Sequence, residues 1–178
     1  MGFYNAGNKF SYRTGGTAFT NAFFGIRYLI SNKEVAYPDL ELDTITEKKY
    51  IYKTKKSLSV GFMAEDEILD WKYLEGNPFM AQNELGWMAT GVDENMFFQI
   101  PVGEPVWKNA RVPETEADSW RYDDADEGSA TWKLKVDQPQ DVYIYFEASH
   151  CKDVKLKVNG VTTSSSDKNG HIMHLGYI

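Results

Sequence analysis

The run Ala22-Phe23-Phe24-Gly25-Ile26-Arg27-Tyr28-Leu29-Ile30-Ser31 is the most apolar stretch in the N-terminal half of the chain. It is short, rich in aromatic and β-branched residues, and stopped by Ser31-Asn32-Lys33. Such a run reads as a strand buried on both faces, here over Ile26 to Ser31. A threonine-capped helical turn from Thr17 to Phe24 leads into it. It is expected to be the first core strand, with later strands packed around it.

Period-two alternation dominates the rest. Tyr50 to Thr54 and Leu58 to Met63 read as the next two strands, and Asn95 to Ile100 as another. From residue 130 onward Trp132, Leu134 and Val136 share one face, as do Val142, Ile144 and Phe146, and then Val154, Leu156 and Val158, with Lys155 and Lys157 outward. Asn159-Gly160 is a type I′ hairpin signal, because both residues tolerate positive φ. Val161 to Thr163 returns from it, Ser164 to Asp167 forms a loop, and Ile172 to Ile178 is a last strand. One segment is helical. Asn77 can cap free N–H groups, Pro78 suits the first helical position, Ala81, Leu85 and Met88 keep helical spacing, and Gly91 suits a left-handed stop. Ala64 to Trp71 is acidic and fits a helical turn. The expected class is mainly β and β-sandwich-like, with one or two short helices; α+β is the alternative.

Charge and cysteine usage bound the partners. The net charge is −7, which repels a phosphate backbone and disfavours nucleic acid. Cys151 is the only cysteine, so neither an internal disulfide nor a cysteine zinc cluster can form. The start, Met1-Gly2-Phe3-Tyr4-Asn5, has no signal-peptide pattern, and no apolar stretch approaches the ~20 residues of a membrane span. The final Leu175-Gly176-Tyr177-Ile178 ends inside an apolar alternation. The chain therefore reads as one domain, 1–178, excised from a larger protein, with a possible subdivision into 1–106 and 107–178.

Chemistry-bearing residues are few. His171 and His174 are three apart, which on a strand points them to opposite faces, so they make a poor zinc pair. Asp123, Asp124, Asp126 and Glu127 supply part of a calcium ligand set but no EF-hand pattern, and read as a solvated acidic loop. Asp39, Glu41 and Asp43 on one strand face read as a charged edge, not as acids opposed across a cleft. No catalytic residue, metal site or cofactor is assigned. Two sets remain as binding candidates. Lys48, Lys49, Lys53, Lys55 and Lys56 form a basic cluster in an acidic chain, suited to anionic polymer or lipid headgroups, or else to guarding an edge strand. Trp120 and Tyr122 lie in polar sequence, where aromatic faces can stack on sugar rings; Trp107 and Trp132 flank the same loop, and Trp132 alternates with the core face.

The order of segments resembles the YfhO family of bacterial membrane proteins. The resemblance is carried by Phe23-Phe24-Gly25-Ile26-Arg27-Tyr28-Leu29-Ile30-Ser31, Tyr50-Ile51-Tyr52-Lys53, Leu58-Ser59-Val60-Gly61-Phe62-Met63, and Asn77-Pro78-Phe79 with Gln82-Asn83. Gly2-Phe3-Tyr4-Asn5 and Lys157-Val158-Asn159-Gly160 are similar as well. Lys53-Thr54 replaces the family's acidic-Asn pair, and Ser59 its proline. The resemblance implies an extracytoplasmic domain at the cell membrane, Gram-positive by expectation, in a protein built like lipid-linked glycosyltransferases. Such proteins decorate envelope polymers such as lipoteichoic acid. The family's presumed catalytic acid lies between membrane spans outside this chain, so the implied role is non-catalytic acceptor recognition. The implied partners are the membrane-embedded remainder and an anionic polymer or glycan. A carbohydrate-binding β-sandwich module of a secreted protein is the alternative.

Overall fold

The computed structural model describes residues 4–6, 9–11, 16–35, 37–72, 76–111, 121–122, 128–146, 154–166 and 171–178. Strands predominate. They are β1 (Tyr4–Ala6), β2 (Lys9–Ser11), β3 (Tyr28–Ser31), β4 (Leu40–Ile45), β5 (Tyr50–Thr54), β6 (Val106–Lys108), β7 (Ala110–Arg111), β8 (Arg121–Tyr122), β9 (Ser129–Thr131), β10 (Asp141–Phe146), β11 (Val154–Val158), β12 (Val161–Ser166) and β13 (His171–Tyr177). Two α-helices, α1 (Ala18–Phe23) and α2 (Pro78–Thr90), and a 3₁₀ helix over Asp66–Asp70 complete the described elements. The mainly-β expectation holds. The strands are divided among six small antiparallel sheets: β3-β5-β4, and the pairs β1-β2, β6-β9, β7-β8, β10-β13 and β11-β12.

Both α-helices start and stop where their caps dictate. Thr17 closes a capping box: its hydroxyl accepts from the Thr20 N–H at 3.1 Å, and its own N–H donates to Thr20 Oγ1 at 2.9 Å. Asn77 Oδ1 accepts from the Phe79 and Met80 N–H groups, and Pro78 occupies the first turn of α2. Gly91 ends α2 at φ 68°, where a Cβ would be strained. Ala81, Leu85 and Ala89 form the buried apolar stripe of α2, one turn apart. Buried Gln82 and Asn83 widen that stripe with polar groups. The hairpin turn also follows its residues, with Asn159 at φ 50° and Gly160 at φ 83°, both in the type I′ range.

The N-terminal apolar run departs from expectation. Its strand is shorter, Tyr28–Ser31, and it sits at the edge of its sheet rather than at a centre. Tyr28 and Ile30 are 56% and 64% exposed, so the strand is covered on one face only. The central strand is β5, whose Tyr52 and Thr54 are buried while Lys53 faces out. Apolar composition could not distinguish a strand buried on both faces from an edge strand whose outer face keeps its apolar residues.

Three further segments are not strands. Leu58 to Met63 is irregular, held by Leu58 N–H donating to Ala22 O at 2.9 Å and by the Phe62 ring lying 5.4 Å from Phe23. Asn95 to Ile100 is irregular too, because Asn83 takes its backbone groups in place of a neighbouring strand. Among the described residues, none of the alternating Trp132 to Val136 segment is paired, and the pairing with β6 ends at Thr131. Conversely Ser164 to Ser166, expected as loop, is strand, in register with Leu156, Lys155 and Val154. Alternation marks a face, but a strand also needs a partner with free backbone groups at the right height.

Contacts between rings connect the N-terminal segments to the β10-β13 sheet. Tyr143 lies 6.4 Å from Phe79 and 6.0 Å from Phe97, edge-on to the latter. Tyr37 stacks on His174 at 6.1 Å. Val142, Ile172 and Met173 supply buried apolar side chains of that sheet.

Candidate functional site

The five lysines are all exposed, but they do not form one compact patch. Lys48 and Lys49 occupy the β4–β5 turn, Lys53 stands on the open face of β5, and Lys55 and Lys56 follow its far end. A rise of ~3.3 Å per residue puts Lys49 and Lys55 about 20 Å apart. Lys49 Nζ donates to Asn32 Oδ1, and Lys55 Nζ to the Pro38 carbonyl at 2.8 Å. Among the described residues no carboxylate forms an ion pair with any of the five; the two ion pairs there are Lys135–Asp137 and His174–Asp141. In cross-strand register Lys53 lies opposite Tyr28 on β3 and Glu41 on β4, so these residues share the open face. The arrangement is a basic stripe along one sheet with an exposed aromatic ring beside its central lysine.

The aromatic candidates divide. Trp120, with the acidic loop Asp123 to Glu127, lies outside the described residues, as do His150 and Cys151. Tyr122 is in β8, paired with Ala110. Trp107 and Trp132 meet edge to face at 6.4 Å. Trp132 is 40% exposed, so its expected place on a core face is corrected: it lies just beyond the paired strand, with its ring against Trp107.

Asp39, Glu41 and Asp43 do not share a face. Asp39 precedes β4 and turns inward; it is 9% exposed, and its Oδ2 accepts from Asn21 Nδ2 at 2.6 Å. Glu41 is exposed on the open face, and Asp43 falls at a bulge in the β4–β5 register. Asp39 Oδ1 is buried with no hydrogen bond among the described residues. Its charge, after the larger effect of burial, pushes the Tyr37 hydroxyl above the ordinary tyrosine range.

Two polar constellations were missed by sequence reasoning. In the first, Thr17 Oγ1 donates to Gln82 Oε1 at 2.6 Å, joining the N-terminus of α1 to the interior of α2. Asn83, fully buried, accepts from the Met96 and Phe97 N–H groups at 3.0 Å and donates to Asn95 Oδ1 and Phe97 O at 2.8 and 2.9 Å. The signal available was two amides at inward positions of an otherwise apolar helix, which must find partners once buried. In the second, His174 Nε2 lies 2.9 Å from Asp141 Oδ1, with Tyr37 and Tyr143 rings at 6.1 and 4.9 Å. His174 and Asp141 are far apart in sequence and meet only because β10 and β13 pair. Among the described residues no group of three or more histidine, cysteine, aspartate or glutamate side chains could hold a metal. No described helix is long and apolar enough to cross a membrane.

The model of one protein family, the bacterial membrane protein YfhO, matches residues 1–178, the whole of the chain. The chain belongs to the YfhO family. No curated protein and no solved structure matches it. In YfhO terms, the segments that carried the resemblance map onto α1 with β3, β5, the Leu58–Met63 turn and the start of α2. These segments are joined through Ala22–Leu58 and Thr17–Gln82 hydrogen bonds. As a member of this family the chain is part of a membrane protein or associated with one.

Proposed function

We propose that this YfhO-family chain is a non-catalytic extracytoplasmic domain that recognises an anionic envelope polymer, of the lipoteichoic acid kind, during its glycosylation. The observation that carries the reading is the stripe of five exposed lysines along β5, none of them paired with a carboxylate among the described residues. A charge already neutralised by a neighbour offers little to a polyanion. An exposed, unpaired lysine keeps its full attraction within the ~8–10 Å reach that salt allows. Tyr28, across from Lys53, adds an aromatic face on which a sugar ring can stack. The chain's overall acidity works against long-range capture, so the attraction belongs to the stripe and fades with salt. The assignment of catalysis to another part of the protein rests on the family resemblance.

Titration of the chain with lipoteichoic acid at increasing salt tests this. The expected result is binding at low salt that falls steadily as salt rises. Replacing Lys53, Lys55 and Lys56 by Gln should weaken it about a hundredfold, at about 1 kcal/mol per lysine near an anionic surface, and flatten its salt dependence. Undetectable binding at low salt, or equal binding by the triple variant, overturns the proposal.

A further inference from the structure

The Leu58–Met63 segment presents a second surface of different chemistry. Val60 is 104% exposed and Met63 97%, the two most exposed of the large apolar side chains described. The turn that carries them is built, not loose. Ser59 Oγ donates to the Gly61 carbonyl across the apex, and Leu58 N–H donates to Ala22 O at 2.9 Å. Phe62 lies 5.4 Å from Phe23, and Phe23 lies edge-on to Phe24 at 5.7 Å. Leu58, Phe62 and Phe24 are themselves 40–49% exposed, so the base of the turn is an aromatic and aliphatic collar. Lys55, Lys56 and Ser57 lead into it. The acids that follow, Asp66 and Glu67, start the 3₁₀ helix, which is tied towards α2 by Glu65 N–H donating to Ala89 O at 3.1 Å.

We infer that this turn is a membrane-contacting prong, whose Val60 and Met63 side chains enter the headgroup boundary of an anionic bilayer. Three observations select a bilayer. The apolar pair is almost wholly exposed, and a fluid interface accepts such side chains without a matching groove. Lys55 and Lys56 enter the turn at its base, at the level where phosphate headgroups would meet them. The chain also belongs to a family of membrane proteins. The inference shares Lys55 and Lys56 with polymer recognition, but its apolar contact rests on Val60 and Met63, which lie outside the β3-β5-β4 sheet.

Flotation of the purified chain with vesicles of phosphatidylglycerol and phosphatidylcholine in equal parts tests it. The chain should rise with the vesicles. Val60→Ser with Met63→Gln, which adds no charge, should reduce partitioning about tenfold or more, since no large apolar side chain then enters the interface, while Val60→Leu with Met63→Leu should retain it. Circular dichroism and melting of the variants establish that they fold. The serine–glutamine pair should leave the lipoteichoic acid titration unchanged, so failure of the prong and failure of polymer recognition read out separately. Absence of flotation, equal flotation by the serine–glutamine pair, or a self-association of the chain that this pair abolishes overturns the inference; the last would assign the turn to a second copy.

Discussion

Asn83 organises a segment that has no regular structure. Its side-chain oxygen accepts two N–H groups and its amide donates to two oxygens, all within residues 95–97. Four bonds on one fully buried amide hold Met96 and Phe97 against α2 without a strand partner. Phe97 is thereby set 5.2 Å from Phe79 and 6.0 Å from Tyr143. At the same scale, Tyr37 gives the chain an alkaline limit. Burial first, and the Asp39 charge second, raise its hydroxyl above the ordinary value of 10.0. A raised folded-state value means that the folded chain holds a proton the unfolded chain has released. This stabilisation is complete below the unfolded value and is lost as pH rises through the folded one. Urea denaturation should therefore show stability falling as pH rises past the ordinary tyrosine value of about 10. Tyr37→Phe should flatten that fall; an identical alkaline slope in the variant would remove Tyr37 as its source.

Among the elements, α2 was the most legible and β3 the least. Asn77, Pro78 and Gly91 each carry a local signal that needs no tertiary context, and the helix spans Pro78–Thr90 between them. Gly91 sits at φ 68°, and a Cβ there would meet Glu65 Cγ at 3.5 Å, an ordinary contact. Gly91→Ala should thus cost only its backbone strain, about 1 kcal/mol, read as a lower denaturation midpoint. A loss of several kcal/mol would mean that the side chain, not the backbone, is what the site excludes. The strand β3 had no such signals. Its apolar residues were plain, but which face they would bury depended on β5 pairing beside it and on no described strand pairing on its other edge. The same holds for Trp132 to Val136, whose alternation continues past the point where β6 offers a partner.

For the molecule as a whole, the ring contacts bear on how it unfolds. Tyr143 on β10 packs against Phe79 and Phe97, and Tyr37 stacks on His174 of β13. These contacts bridge residues on both sides of the possible boundary near residue 106. Thermal unfolding should therefore be a single cooperative transition by both circular dichroism and tryptophan fluorescence. Two separated transitions would divide the chain into 1–106 and 107–178. The basic stripe and the apolar prong are likewise properties of the whole, since each depends on which side chains the packing leaves outside.

What the sequence determined by itself was everything settled within a few residues: the caps of α1 and α2, the Asn159-Gly160 turn, the alternation of β11, and the mainly-β class. Family membership, too, was carried by short motifs in order. Tertiary structure alone decided the rest. It turned Asp39 inward to Asn21, split the lysines into a stripe, brought His174 to Asp141, gave Asn83 the backbone of 96–97, and left Val60 and Met63 in solvent. The physical reason is that caps and turns are satisfied by neighbours along the chain. Burial, strand pairing and the partners of buried polar groups are satisfied across it, by residues that no local pattern brings together.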